Sequence, residues 1–303
     1  MATHLRMTAA ANLGVFTAAG VMGLMCCSGV LAGGDDPETI ELIGVVRDFR
    51  ERTDAQGHPD FERKPDAGFG HYCENVAPYL GEDGKPVYTG GGWKVYKQWK
   101  DAQGRPICHL LYDQARGDIP GAKGVSDTGG ITSAESFDMW FRDVPGTNIS
   151  IPEGLPLTFV RYPDGTYVFD DKDDPLYGPL GGFFPIEDQL FGNPGGTPDR
   201  NFHFTFELHT GFTYDASAGQ YFEFIGDDDV WVYIDGQLVI DLGGVHAATH
   251  QYVDLNRLGL VDGETYTLDF FFAERHRTQS NFRVVTTLKL ESAELPTVTA
   301  AFD

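Results

Sequence analysis

The sequence predicts an all-β fold, an antiparallel β-sandwich or barrel. Apolar residues alternate with polar ones at period two, which is typical of strands with one buried face, and helical periodicity is scarce. Glycine and proline are abundant, at 38 and 17 of 303 residues, as expected for a chain of strands and tight turns. The first half, roughly Ile40 to Asp127, is more irregular. Runs such as 117–130 predict long loops or an inserted lobe there.

Three segments show the alternation most clearly. Segment 201–209 places four large apolar side chains on one face, with His203, Glu207 and His209 on the face predicted to meet solvent. Segments 265–272 and 282–290 repeat the pattern. The predicted inward residues are Phe202, Phe204, Phe206 and Leu208, then Tyr266, Leu268, Phe270 and Phe272, and last Phe282, Val284, Thr286, Leu288 and Leu290.

Turn sequences separate the predicted strands. Pro163-Asp164-Gly165, Asp235-Gly236 and Asp262-Gly263 each place a glycine after an aspartate, a combination that suits tight turns. Because alternating apolar residues flank Asp235-Gly236, this pair predicts a β-hairpin.

Three adjacent carboxylates, those of Asp227, Asp228 and Asp229, stand where an apolar strand should begin. Side chains this close repel one another at neutral pH. A hard divalent cation such as calcium, which takes about six to eight oxygen ligands, relieves that repulsion. We therefore predict a calcium-binding loop between two strands, for which Gly226 allows the sharp turn. The alternative is a solvated, turn-forming acidic loop.

The N-terminal segment predicts export. Residues 1–32 have Arg6 followed by an uncharged, small and apolar run, which is typical of a secretory signal peptide cleaved after Ala32. A lipoprotein signal and a retained membrane anchor are the alternatives. We expect a short linker at 33–39, a single domain at 40–290 that is best defined over 137–290, and a C-terminal tail at 291–303, with no membrane span in the mature chain.

The charge balance excludes one class of partner. With 45 acidic and 22 basic residues, the formal net charge is −23, and no basic patch interleaved with aromatics occurs. A polyanion would be repelled, so nucleic acid is not expected as a partner. The acidity suits a secreted or cell-surface protein that meets cations, glycans or other surface polymers.

Two cysteines, Cys73 and Cys108, remain after the predicted processing. An even pair in a chain bound for an oxidising compartment predicts a disulfide. Two separate buried thiols are the alternative. The sequence disfavours a zinc site, because two cysteines without a paired histidine motif supply too few ligands.

Eight motifs, in this order and spacing, resemble fibro-slime domain proteins over nearly the whole mature chain. They are GHPDFE (57–62), FDMWFRDV (137–144), GFFPI (182–186), NFHFTFEL (201–208), GDDDVWVYIDG (226–236), DLGGVH (241–246), FAERH (272–276) and SNFR (280–283). The second half also resembles the lectin β-sandwich of the protective-antigen type, as found in calcium-dependent yeast flocculins.

The resemblance implies specific site residues. In the flocculins, two successive aspartates joined by a cis peptide bind calcium, and here Asp228 and Asp229 match them, with Asp227 as a supporting residue. A second loop supplies an asparagine, and Glu274 stands in its place. Arg275 and His276 could then donate hydrogen bonds to sugar hydroxyls. Two further residues join the predicted ligand-binding set, His246 at the edge of the site and Trp231 as an apolar face, while Asp241 is either a metal ligand or a turn cap.

The resulting prediction is a secreted, non-catalytic matrix or adhesion module that binds glycans through calcium. The alternative is a self-associating slime or coat protein in which calcium is structural or absent. A glycoside hydrolase would need two carboxylates facing each other across a cleft, and no motif points to such a pair.

Overall fold

The first strand, β1 (Thr39–Phe49), belongs to both halves of the main sheet. Its residues 39–44 pair with β8 (Leu155–Arg161), and residues 45–48 pair with β10 (Phe204–Thr213). A strand that changes partners midway forms a corner between two packed sheets. The structure, a computed structural model, describes residues 36–292. The predicted signal peptide and nearly all of the C-terminal tail lie outside that range.

The other main-sheet strands complete a twelve-stranded antiparallel sheet. They are β7 (Asn148–Ser150), β9 (Tyr167–Asp170), β11 (Tyr221–Gly226), β12 (Asp229–Ile234), β13 (Gln237–Leu242), β14 (Thr249–Asp254), β15 (Thr265–Glu274), β16 (Phe282–Thr286) and β17 (Glu291–Ser292). The order is β13-β12-β15-β10-β1-β8-β9-β16-β11-β14, with β7 on β1 and β17 on β10.

The sheet nearly closes into a barrel. Its two terminal strands, β13 and β14, approach each other, and the backbone N–H of Asp241 donates to Oε1 of Gln251 at 2.8 Å. The predicted all-β fold is therefore confirmed. The predicted hairpin also forms, because Asp235 and Gly236 take positive φ values of 51° and 70° between β12 and β13.

A lobe, residues 50–147, is inserted between β1 and β7, as the irregular composition predicted. It contains two small sheets, one α-helix and two 3₁₀ turns. These are β2 (Tyr72–Cys73) with β3 (Trp93–Lys97) and β6 (Ala122–Ser126), β4 (Trp99–Lys100) with β5 (Pro106–Ile107), α1 (Ala134–Asp138), and the turns His109–Leu111 and Gln114–Arg116. Ser133 caps α1, its hydroxyl accepting from the N–H of Ser136.

The lobe covers the outer face of β12 and β15 and creates a second hydrophobic core. Trp231, Tyr233 and Phe271 point into this second core, while Val230 and Val232 point into the sandwich. β12 is consequently buried on both faces. The lobe side of the second core consists of Val76, Ile131, Phe137, Trp140 and Phe141.

Coverage by the lobe corrects one expectation. The polar face of β10, predicted to meet solvent, is largely enclosed: His203 and Glu207 are each 1% exposed. Glu207 is compensated by Arg47 Nη1 at 2.9 Å and by Lys85 Nζ at 2.5 Å. Strand alternation identified the two faces of β10, but it carried no information on what a distant segment would cover.

The predicted disulfide is wrong: Cys73 and Cys108 are buried, free thiols. Burial is the main reason that the pKa of each thiol is raised, and that of Cys108 lies well above its usual range. The Cys108 Sγ lies 3.9 Å from Nδ1 of His109, so this thiol neighbours an imidazole and not a second sulfur bonded to it.

Gly44 sits where β1 changes partners, and a side chain there has no room. A Cβ would lie 2.3 Å from the Phe206 ring and 2.6 Å from the Glu207 carbonyl. We predict that Gly44→Ala lowers the free energy of unfolding by about 1–3 kcal/mol, the usual cost of overpacking. Urea unfolding followed by tryptophan fluorescence measures this change.

The matched control is Gly211→Ala on the neighbouring strand β10, where a Cβ would meet nothing closer than 3.7 Å. It should change stability by less than about 1 kcal/mol. Equal losses in the two variants would contradict the account of the corner.

Candidate functional site

Three loops meet at one end of the sandwich. Asp227 and Asp228 link β11 to β12, residues 243–248 link β13 to β14, and residues 275–281 link β15 to β16. Asp227 and Asp228 thus lie between two strands, as predicted, whereas Asp229 is already the first residue of β12. The cis peptide joins Asp227 to Asp228, one position before the Asp228–Asp229 bond that the resemblance implied.

Two glycines allow close packing here, Gly226 against the 275–281 loop and Gly244 against the lobe. A Cβ on Gly226 would lie 2.2 Å from the carbonyl oxygen of Asn281, and one on Gly244 would lie 2.4 Å from the ring of Tyr72. Gly244 also has a φ of 87°, which disfavours other residues. Both glycines are therefore needed for this close packing.

Asp229 is committed to an ion pair in the interior. Its Oδ2 accepts from Arg275 Nε at 2.6 Å, and its Oδ1 accepts from the backbone N–H of Gly244 at 2.5 Å. Asp229 and Arg275 are both 0% exposed. The negative charge of Asp229 is therefore already balanced.

Asp227 and Asp228 accept hydrogen bonds, but no cationic side chain within residues 36–292 contacts either carboxylate directly. The two oxygens of Asp227 accept from the backbone N–H and the side-chain amide of Asn281, at 2.6 and 2.7 Å. Asp228 accepts from the backbone N–H groups of His246 and Arg275, both at the long distance of 3.2 Å. The two aspartates are 2% and 3% exposed. Burial raises the pKa of Asp227, and burial together with the charge of Asp227 raises that of Asp228 well above its usual range.

Glu274 is the least satisfied of the carboxylates. It is 0% exposed, and neither of its carboxyl oxygens has a hydrogen-bond partner. Burial, then the nearby Asp228 and Asp227, raise the pKa of Glu274 well above its usual range. The Ser280 hydroxyl and the His276 backbone N–H act to lower that pKa, but the hydroxyl donates to the carbonyl of Phe183 at 2.7 Å. Neither group meets hydrogen-bond geometry with Glu274, so its carboxylate is left without a partner.

Taken together, this acidic site holds Asp227, Asp228, Asp229 and Glu274, with Arg275 as the cation paired to one of them. Three buried carboxylates are left without a counter-charge, which is an arrangement that a cation stabilises. Their donor atoms are all oxygens, as hard divalent ions require. They do not form one of the trios of described residues whose ligand atoms all lie within 4.8 Å of one another. Among the residues that the structure describes, the ligand trios within 4.8 Å of one another are Cys73–Glu74–His109 and Glu51–Glu62–His203.

Two of the residues predicted to bind ligand lie in the interior instead. Trp231 is 0% exposed, packs against Phe137 and Trp140, and donates from Nε1 to Asp241 at 3.2 Å. Arg275 donates from Nη1 and Nη2 to the backbone carbonyls of Asp60 and Gly129, at 3.2 and 2.9 Å. Neither side chain is placed to touch a sugar, because the lobe covers both.

The two predicted histidines lie at the edge of the site. His246 is 8% exposed, and its Nδ1 lies 2.9 Å from the carbonyl of Ala247. The side chain of His276 is 23% exposed and packs against Phe69, with 4.8 Å between ring centroids. Phe69 is 46% exposed and Lys64 Nζ lies 5.2 Å from its ring centre, so the rim combines an aromatic face with donors.

Three further residues shape the site and were not predicted. Asn281 holds Asp227, and its motif SNFR was visible in the sequence without a role. Glu62 accepts from the backbone N–H of Arg277 at 3.2 Å and lies 3.4 Å from His276 Nε2. Asp60 is buried and anchors the lobe, accepting from Trp140 Nε1 at 3.0 Å and from Ser136 Oγ at 2.8 Å. Asp60 and Glu62 belong to the motif GHPDFE, which indicated a family resemblance but not where these two side chains lie.

Comparison with known proteins agrees with this reading of the second half. Residues 192–299 match the PA14 domain family, and this stretch contains the acidic site. The crystal structure of the PA14 domain of the MpAFP antifreeze protein covers 88% of this chain with a TM-score of 0.25 and 10% identity, an overlap too weak to support an argument. The finer resemblance to fibro-slime proteins stays a prediction.

Similar sequences occur among the psi proteins of Dictyostelium discoideum. Protein psiD is 36% identical over 219 residues, 70% of this chain and 35% of psiD. Protein psiR is 34% identical over 247 residues, 76% of this chain and 20% of psiR. Protein psiI is 44% identical over 151 residues, 48% of this chain and 19% of psiI. The chain thus spans about a third or less of these relatives.

The raised pKa values give metal-free stability a defined pH dependence. The folded state holds protons on Glu274 and Asp228 more tightly than the unfolded chain does, so stability falls as pH rises from the ordinary carboxyl range through the raised pKa values. We predict that Glu274→Gln, measured in chelator, differs little from the wild type near about pH 5. Near about pH 8 it should melt higher, by about 2–4 °C for each 1 kcal/mol of repulsion removed.

Thermal unfolding at the two pH values tests this prediction. Asp173→Asn, which removes an exposed carboxylate, serves as the control and should leave the pH dependence unchanged. A Glu274→Gln curve that parallels the wild type at both pH values would mean that Glu274 is not repelled by its neighbours.

Proposed function

We propose that the chain is a secreted, non-catalytic carbohydrate-binding or adhesion module whose site is completed by calcium. The observation that carries the proposal is Glu274, a fully buried carboxylate with two unpartnered oxygens beside two other buried carboxylates. Such a group is costly in a folded protein unless a cation or proton balances it. The match of residues 192–299 to the PA14 domain family supports a carbohydrate-binding class.

The contacts favour Asp227, Asp228 and Glu274 as ligands, with Asp229 excluded. Asp229 already shares its charge with Arg275 at 2.6 Å, so it gains least from an ion. Both oxygens of Glu274 are open, and those of Asp228 accept only long hydrogen bonds. Calcium suits this set better than a transition metal, because every donor is a carboxylate oxygen and calcium tolerates irregular geometry. Extracellular export, as the signal sequence predicts, would bring the site to calcium.

The rim supports a glycan as ligand. A sugar presents hydroxyls that can join a calcium shell and an apolar face that packs on an aromatic ring. Phe69 supplies an exposed ring next to His276. Phe69, rather than the buried Trp231, is therefore the proposed apolar face for a sugar. The imidazole of His276 and the ammonium of Lys64 lie beside that ring, 4.8 and 5.2 Å from its centre.

A second function has one observation in its favour. Asp227, Asp228 and Glu274 are 0–3% exposed, a degree of burial typical of an ion that only stabilises a loop. In that case calcium would hold the three loops together, and the protein would act as a self-associating coat or matrix component.

Calcium titration of the chelator-treated protein by calorimetry tests the ion. We expect one site in the wild type, and at least about tenfold weaker affinity in Glu274→Gln and in Asp228→Asn, since each loses a charged ligand. Asp173→Asn, an exposed acid outside the site, should bind as the wild type does. Absence of calcium binding to the wild type would overturn the calcium proposal.

A glycan array with calcium or with EDTA separates the two functions. The carbohydrate-binding proposal predicts signals that EDTA abolishes and that Phe69→Ala weakens at unchanged calcium affinity, because Phe69 lies on the rim. Calcium binding with a blank array, together with calcium-dependent self-association in sedimentation, would support the structural alternative instead.

A further inference from the structure

A second candidate ion site lies in the lobe and shares no residue with the acidic site. Cys73, Glu74 and His109 place one sulfur, one carboxylate oxygen and one imidazole nitrogen within 4.8 Å of one another. Cys73 ends β2, and His109 opens the 3₁₀ turn 109–111. Sequence spacing gave no hint of this cluster, because its members come from two separate segments that meet only in the fold.

The donor set differs in kind from the acidic site. A thiolate with an imidazole and a carboxylate is a typical set for zinc and related first-row ions, whereas calcium avoids sulfur. The sequence argument against zinc was that two cysteines without a paired histidine motif supply too few ligands, and the fold answers it by bringing Glu74 and His109 to Cys73. A second sulfur, Cys108 Sγ, lies 3.9 Å from Nδ1 of His109.

The surroundings of His109 resemble those of a metal-binding histidine. Its Nε2 faces Glu74 at 3.3 Å, while its Nδ1 faces Asp241 Oδ2 at 3.6 Å. Asp241 is 0% exposed, and its carboxylate accepts from Trp231 Nε1 and from the backbone N–H of Glu74 without a cationic partner. A carboxylate behind the second ring nitrogen orients many metal-binding histidines.

The cluster is also accessible. Glu74 and His109 line a cleft of about 570 Å³, together with Trp93 and Leu110. An ion can therefore enter, and a water molecule from the cleft can take a fourth position. Lys123 Nζ contacts Glu74 in the structure, and at 35% side-chain exposure it is free to move away when an ion arrives.

The other trio is already occupied by a cation. Arg277 lies 2.7 Å from Glu51 and 3.1 Å from Glu62, so Glu51–Glu62–His203 has its charge balanced. The Cys73 cluster also meets a cation, Lys123 on Glu74, but this is a single partly exposed ammonium on a flexible chain, and no guanidinium reaches the cluster among the contacts of the described residues.

We propose that Cys73, Glu74 and His109 bind a zinc-class transition metal ion, with Asp241 orienting His109 from behind. The ion fastens two segments of the lobe, 72–74 and 108–109, beside β13. On binding, the Cys73 sulfur forms a bond to the metal and its proton passes to the buffer, so that about one proton is released per ion near neutral pH. The site is independent of the calcium site, because it shares no residue with it.

Cobalt binding to the reduced protein in saturating calcium tests the proposal. We expect a thiolate-to-cobalt charge-transfer band, which zinc abolishes by displacing the cobalt. The band should be lost in Cys73→Ser, and affinity should fall at least about tenfold in His109→Ala and in Asp241→Asn. His250→Ala, which changes a half-buried histidine on β14, is the matched control and should bind as the wild type does.

A second measurement does not depend on whether the variants fold. Calorimetry of zinc binding to the wild type in buffers of different ionisation enthalpy should give about one proton released per ion. A reduced wild type without a charge-transfer band, wild-type affinity in His109→Ala, or zinc binding without proton release would each overturn the proposal. A native protein whose Cys73 and Cys108 are joined in a disulfide by mass spectrometry, and which holds no metal, would overturn it as well.

Discussion

The buried guanidinium of Arg275 organises the rest of the structure. One ion pair to Asp229 and two hydrogen bonds to the carbonyls of Asp60 and Gly129 satisfy it in the interior, under the ring of Trp140. Removing one partner of a buried pair commonly costs about 3–5 kcal/mol, because the remaining charge is left unpaired. Arg275 can therefore stay inside only if the lobe docks on the sandwich, and docking in turn buries Trp231 and the outer face of β12.

The Asp229–Arg275 ion pair gives the carboxylates of the acidic site two different roles. Asp229 becomes a structural residue, while Asp227, Asp228 and Glu274 are left buried without a counter-charge. Their raised pKa values express that imbalance, which either protons or a cation can relieve. The proposed calcium site and the stability of the lobe thus depend on one side chain. The proposed zinc-class site acts elsewhere in the lobe, where segments 72–74 and 108–109 meet β13.

Much of the sandwich could be predicted, because alternation and turn chemistry are local. The faces of β10, β15 and β16, the Asp235-Gly236 hairpin and the position of the acidic loop all follow from neighbouring residues. The errors share one cause, which is contact between residues far apart in sequence. Sequence alone predicts that Arg275 and Trp231 contact a ligand, because it does not show that the lobe covers them. The pairing of Asp229 with Arg275, 46 positions away, determines which aspartates are left without a counter-charge. His109 and Cys73 could be linked only once the lobe had folded.

Asp229 serves the fold through Arg275, whereas its neighbours Asp227, Asp228 and Glu274 are proposed to bind an ion. A crystal structure determined in calcium, with anomalous scattering to identify the ion, tests it most directly. The account predicts one calcium held by oxygens of Asp227, Asp228 and Glu274 at about 2.3–2.6 Å, with the Asp229 carboxylate still on Arg275. Calcium coordinated by Asp229 with its bond to Arg275 broken, or a crystal in calcium with no ion among these carboxylates, would contradict it.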